Sequence, residues 1–249
     1  MTYTRLRLRR TDASPGWVAG LLVAAAVLAN LAFAMLGSVF DYPDVLRRPA
    51  PEILESYREH QTAVALWFGV LTFSAGLMAP AALAVGRLVR HPAMRIAVPV
   101  GIAAAVVQVV GLSRWLLLVP GYAADAAAGG ARGEQALESF RTAHQVLGVA
   151  IGETAGYLLT AAWTLLVVAA LHDRLAGPWF SALGGASALA ILAGVLSPLD
   201  VPGVDQINFG GYVAWSVWLL AFAGALYRDR ARGTASSLGR RLGQAVSRR

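Results

Sequence analysis

VLGVAIGETAGYLLTAAWTLLVVAAL, residues 146–171, decides the class of this chain. Crossing a hydrocarbon core of about 30 Å takes roughly 20 mostly apolar residues. This run exceeds that length and carries one acidic or basic side chain, Glu153. Five more runs of the same kind lie around it, at 16–40, 62–85, 96–119, 179–196 and 210–227. The whole chain is 57% hydrophobic and 14% charged over 249 residues, too little charge to cover a soluble domain of this size. The expected fold is therefore all-α, a polytopic transmembrane bundle of six helices over 16–227. A basic segment, 1–15, precedes it and a basic tail, 228–249, follows.

The first run comes after Arg5, Arg7, Arg9 and Arg10, as the apolar region of a signal peptide would. Its length exceeds the roughly 7–15 residues of such a region, and no small-residue cleavage site follows, so it reads as an uncleaved first helix. Six spans place both termini on one side. That side would hold fifteen arginines, counting Arg87, Arg90, Arg95, Arg174 and the tail, and the other six: Arg47, Arg48, Arg58, Arg114, Arg132 and Arg141. Basic loops stay in the cytoplasm. The expectation is a multi-pass plasma-membrane protein with both termini cytoplasmic. Most acidic residues, among them Asp41, Asp44, Glu52, Asp125, Glu134, Asp200 and Asp205, fall in the outer connections.

In the outer connection 41–61, Pro51 and Glu52 start a helix with Ile53, Leu54 and Tyr57 on one side. In 121–141, small residues lead into a helical approach to span four. The last outer connection, 197–209, carries Pro198, Pro202 and Gly203 and is expected to be irregular.

Backbone hydrogen bonding forces the spans to be helical, so the informative residues are those that are costly in lipid. Glu153 sits near the midplane, where a charge costs at least roughly 2.5–3.5 kcal/mol and must face protein, find a partner or take a proton. Glu153, Tyr157, Thr160 and Thr164 share one helical stripe facing the bundle. Beside it, Gly148, Gly152 and Gly156 form a small-residue repeat that admits a close neighbour. The stripe marks either a substrate or proton site at Glu153 or a buried polar tie between helices. Arg114, inside span three, either reaches toward Glu153, where opposite charge and overlapping reach suggest a buried ion pair, or snorkels outward. Asn30 in span one lies at comparable depth, as part of the polar centre or as a single interhelical hydrogen bond. Asn208, Tyr212 and Trp215 share a face of span six, where lining a cavity and simple packing both remain open. Trp17 and Trp179 read as interfacial belt residues.

Histidines stand in two pairs, His60 and His144 at the outer ends of spans two and four, His91 and His172 at the inner ends. Two such pairs resemble the bis-histidine haem arrangement of cytochrome b561-type proteins, which makes His60 and His144 haem candidates. His91 precedes Pro92 in a loop, however, and His172 is interfacial, whereas haem ligands lie within helices. No cofactor is therefore assigned. The absence of cysteine excludes disulfides, thiolate metal ligands and thiol nucleophiles. No phosphate-binding loop, zinc motif or nucleophile elbow appears, and only the histidine placement speaks for an enzyme or redox protein. In the tail, Leu238, Leu242 and Val246 repeat at helical spacing among arginines, a pattern for a surface helix that meets anionic lipid. The net charge of +7 follows from membrane topology rather than nucleic-acid binding. Protein partners are not specified.

Gly111-Leu112-Ser113-Arg114-Trp115, His144-Gln145-Val146-Leu147-Gly148 through Glu153 to Gly156-Tyr157, and Asn208-Phe209-Gly210-Gly211-Tyr212 with Trp215 form a further set. Together they resemble the bacterial six-helix membrane family called domain of unknown function 4386, over roughly 16–227. That resemblance implies a bacterial plasma-membrane protein with no assigned reaction, and suggests that Arg114, His144, Glu153, Tyr157, Asn208 and Tyr212 belong together. Three functions fit the sequence: binding or moving a small ligand or proton in a polar cavity around Arg114 and Glu153; a non-catalytic membrane partner or sensor; and a haem or quinone redox protein.

Overall fold

The structure is a computed structural model that describes residues 15–172, 175, 177–199 and 201–246, with side chains described as far as 229. The four N-terminal arginines, Arg174, Asp200 and the side chains of Leu238, Leu242 and Val246 lie outside the described residues. Nine α-helices are described: α1 Pro15–Phe40, α2 Ala50–Glu59, α3 Gln61–Gly86, α4 Pro92–Leu117, α5 Val119–Ala128, α6 Gly130–Ala143, α7 Gly156–Leu171, α8 Pro178–Ala193 and α9 Val204–Val246. Short 3-10 turns at Asp44–Arg47 and Gly194–Leu199 interrupt them, and a π-helix, His144–Ala155, joins α6 to α7.

Six stretches are long and apolar enough to cross a membrane: Pro15–Phe40, Gln61–Gly86, Pro92–Ala128, Gly130–Leu171, Pro178–Leu199 and Val204–Asp229. Their starts follow local chemistry. Pro92 and Pro178 open α4 and α8, where a missing N–H goes unnoticed. His91 caps α4, its ring nitrogen accepting from the Ala93 N–H at 3.2 Å. Gly177, at φ 75°, turns the chain into α8.

The expected helical approach to span four is present within α6, and the small residues ahead of it are helical too, as α5, because an alanine run has the highest helix propensity; the break falls at Gly129, at φ 70°. Two sequence expectations change. The connection expected to be irregular over 197–209 is mostly ordered: a 3-10 turn includes Pro198, and α9 begins at Val204 just after Gly203 at φ 83°. Asn208 is thus a helical residue. The fourth span is not a single α-helix either, since its first part is wound as π. The expected helix before span two is present as α2, with Ile53, Leu54 and Tyr57 all buried.

The spanning helices close into a ring in which α1 packs on α3, α3 on α4, α4 on α7, α7 on α8, α8 on α9 and α9 back on α1. Two apolar cores fill this ring at different levels. One, toward the termini, gathers Val18, Leu22, Val85, Trp163, Val167, Phe180, Trp218 and Phe222. The other, at the end carrying α2, α5 and α6, gathers Phe40, Tyr57, Phe68, Trp115 and Phe140, with Trp115 stacked on Phe68 at 4.7 Å and 6°. The first core ends on α1 at Ala26 and the second begins at Ala32; on α3 the second ends at Leu71 and the first begins at Ala81. The interval between them is where the polar side chains collect.

Candidate functional site

That interval is a cavity of about 920 Å³, lined from α1, α3, α4, the π-helix, α7 and α9. Its lining reaches the exposed residues Asp44, Arg47 and Asp205, so it opens at the end carrying α2, α5 and α6. Across this mouth Arg47 of the 3-10 turn pairs with Asp205 of α9 at 2.8 Å.

The cavity owes its polar wall to a glycine groove. A Cβ at Gly111 of α4 would lie 2.6 Å from the Gly152 Cα and 2.9 Å from the Leu147 carbonyl, so the two helices touch backbone to backbone. On either side of that crossing a polar side chain of α4 lies over a facing glycine. A Cβ at Gly148 would meet the Arg114 Nη2 at 2.7 Å, and one at Gly156 the Gln108 Nε2 at 2.6 Å. The small-residue repeat therefore serves as more than a helix contact. It leaves room for a guanidinium and an amide against bare backbone.

Arg114 is 5% exposed. Its Nη1 donates to the Gly111 carbonyl at 2.5 Å, its Cζ stands 5.2 Å from the Trp115 ring centroid, and its Nε has no acceptor. Of the two alternatives for Arg114, the ion pair with Glu153 is not formed: among the described residues, no N···O approach within 4.0 Å joins them. The cause is local. The guanidinium is held by a carbonyl of its own helix and by the space over Gly148. Glu153, half-buried on the cavity wall, accepts no hydrogen bond among the described residues.

The other expected residues divide. His144 lines the cavity, stacked on Phe140 at 6.0 Å, with its buried Nδ1 unpartnered. Tyr157 and Tyr212 line it with ring centroids 5.8 Å apart, and Gln108 donates to the Tyr212 hydroxyl at 3.4 Å. Asn30 lines it too but makes no interhelical bond, its amide donating to Ala26 on its own helix at 2.7 Å. Asn208, although on the wall, is mainly a tie: its amide donates to the Ile191 carbonyl of α8 at 2.7 Å. Trp215 similarly donates to Thr164 at 2.8 Å.

His60 is exposed at the junction of α2 and α3 and shares no site with His144, while His91 is engaged as the cap of α4. Among the described residues no group of three His, Asp or Glu side chains is placed to hold a metal ion.

Gln108, Ser74 and Tyr42 are among the wall residues that escaped the sequence analysis. Gln108 lies six residues before Arg114, and its spacing from Gly111 was the available signal. Ser74 sits in a run of small apolar residues, and its hydroxyl donates to the Ala25 carbonyl at 2.8 Å. Tyr42 follows α1 at the start of the outer connection 41–61, yet it lines the cavity. Burial and the Glu153 carboxylate push its pKa up to about 12, partly offset by the Arg114 guanidinium. Its hydroxyl thus senses both charges.

No curated protein and no solved structure matches the chain. A family model does, over residues 18–223, from the first turns of α1 to the part of α9 beyond the cavity. The matched region takes in Arg114, the glycine groove, Glu153 and the Asn208–Trp215 face, and the chain belongs to that family, described as Domain of unknown function (DUF4386).

Proposed function

We propose that this membrane protein binds a small ligand in the central cavity, with Arg114 and Glu153 as its two charged contacts. One observation carries this reading: a roomy cavity holds, among the described residues, a guanidinium without a carboxylate partner and a carboxylate without any donor. Uncompensated charge at membrane depth is costly, and structural ties are made by groups that satisfy each other. Asn208 and Trp215 are such ties; Arg114 and Glu153 are not. The cavity volume also falls within the roughly 300–1,000 Å³ usual for small-molecule sites.

The arginine asymmetry supports a plasma-membrane orientation with both termini in the cytoplasm. The mouth beside Arg47 and Asp205 then faces the outside, and the basic tail meets anionic lipid on the cytoplasmic leaflet. His144, Tyr157, Tyr212, Asn30 and Asn208 complete the wall.

The test is a thermal-stability screen of the purified chain against a library of small molecules, repeated on Ala75→Phe, which fills the cavity from α3. A ligand at about 100 times its Kd stabilises the parent by roughly 2.7 kcal/mol. The expected result is stabilisation of the parent that Ala75→Phe loses and Glu153→Gln weakens. Absence of any stabilising compound, or stabilisation untouched by both substitutions, refutes the proposal.

A further inference from the structure

We infer that the occupant of the cavity is a zwitterion, a molecule carrying an anionic group for Arg114 and an ammonium group for Glu153 on one short spacer. This rests on the cavity being a ligand site and names the chemical class of what it takes.

Arg114 is almost wholly buried with its Nε turned to no acceptor, and Glu153 reaches the same cavity with no donor. Neither neutralises the other, because the guanidinium is fixed by the Gly111 carbonyl and by its seat over Gly148. A simple anion would satisfy Arg114 and leave Glu153 bare. A simple cation would do the reverse. A ligand with both groups satisfies both poles and leaves the charge of the site unchanged.

The spacing of the poles suits one short molecule. The guanidinium lies over Gly148, and Glu153 comes five residues later, the span of one π-helical hydrogen bond. Along the helix axis that is about one turn, ~5 Å. Tyr42 lines the same cavity, and its hydroxyl is within electrostatic reach of both groups. Phe33, Ala75, Met78 and Ala104 supply an apolar wall for an aliphatic body. Two sources carry this chemistry, a free aliphatic amino acid entering at the Arg47–Asp205 mouth and a lipid with a zwitterionic head.

The experiment is calorimetric titration of the full-length protein in detergent with two matched sets. The soluble set is L-leucine, 4-methylpentanoate and 3-methylbutylamine, which share a branched aliphatic body and carry both charges, the anion alone and the cation alone. The lipid set is lysophosphatidylethanolamine and lysophosphatidic acid. The expected result is that in one set the zwitterion binds at least about tenfold more tightly than its single-charge relatives, and that set identifies the source. Glu153→Gln should abolish that preference while the anion still binds through Arg114, a retained activity that a misfolded variant would not show. Equal binding of the single-charge probes, no binding by any probe, or a preference that survives Glu153→Gln overturns the inference. Binding of 4-methylpentanoate alone, lost in Ala75→Phe, would overturn the zwitterion while leaving the ligand site standing. An empty thermal screen would remove both.

Discussion

Gly111→Ala isolates the backbone crossing on which the polar wall is built. The added Cβ would sit 2.6 Å from the Gly152 Cα and 2.9 Å from the Leu147 oxygen. Carbon atoms prefer about 3.5–4.0 Å, so α4 and the π-helix must part by roughly 1 Å. Both obstacles are helical backbone, and no side-chain rotation relieves them. Overpacking of this kind costs about 1–3 kcal/mol, against a gain of roughly 0.5–1 kcal/mol from replacing glycine by alanine within a helix. The expected net loss is about 1–2 kcal/mol. Gly20→Ala, where nothing lies within 4 Å, carries the helix gain alone and should be neutral or stabilising. The assay is unfolding in mixed micelles as the fraction of dodecyl sulfate rises, followed by fluorescence of the buried tryptophans. If Gly111→Ala resists dodecyl sulfate as well as Gly20→Ala, the helices do not meet at Gly111 and Gly152 and the groove is misassigned.

Gly148→Ala places its Cβ 2.7 Å from the Arg114 Nη2, the far end of a flexible side chain, so it should cost less stability than Gly111→Ala but lower ligand affinity by about tenfold as the guanidinium shifts. Arg47→Ala and Asp205→Ala remove an exposed ion pair, worth about 0–1 kcal/mol, and their melting temperatures should stay close to the parent's. Trp115→Ala should destabilise by about 3–5 kcal/mol, since this ring is fully buried against Phe40, Phe68 and Phe140. The raised Tyr42 pKa means the folded state holds that proton more tightly than the unfolded one. Its contribution to stability is therefore fully present below about pH 10 and disappears as pH rises toward 12, a loss that Tyr42→Phe should flatten in pH-dependent melts.

The spans were legible because hydropathy and length settle the choice of membrane helix almost alone, and the centres of the expected runs all fall within the observed ones. The connections were harder. Proline and glycine at 198–203 suggest a loop, but proline is also compatible with a 3-10 turn, and glycine with a sharp entry to α9. At the site, the cost of charge in lipid pointed to Arg114 and Glu153, and both line the cavity. A pairing between them was suggested by opposite sign and overlapping reach, neither of which encodes direction. The direction of Arg114 depends on which glycine faces it, a property of the helix pair rather than of either helix. Tyr42 was missed for a related reason: it belongs to a connection, and only the closed ring brings it over the cavity.

The π-helix follows from the same pairing. Three glycines four residues apart, Gly148, Gly152 and Gly156, meet three residues of α4 only three apart, Arg114, Gly111 and Gln108, running in the opposite direction. In straight α-helices, four residues advance about 6 Å and three about 4.5 Å, so the two series would drift apart by roughly 3 Å over their length. Winding to i→i+5 hydrogen bonds puts more residues in each turn and shortens the advance per residue. This brings the glycine repeat into step with α4, and the π segment ends at Ala155, immediately before the last of the three glycines. From Gly156 the helix returns to α geometry, and Tyr157, Thr160 and Thr164 resume the stripe expected from 3.6-residue periodicity. Glu153 belongs to the π register, one residue beyond the crossing at Gly152. The winding that seats Arg114 on Gly148 is therefore also what sets the position of the unpaired carboxylate, and the two poles of the cavity are placed by a single feature of the fourth span.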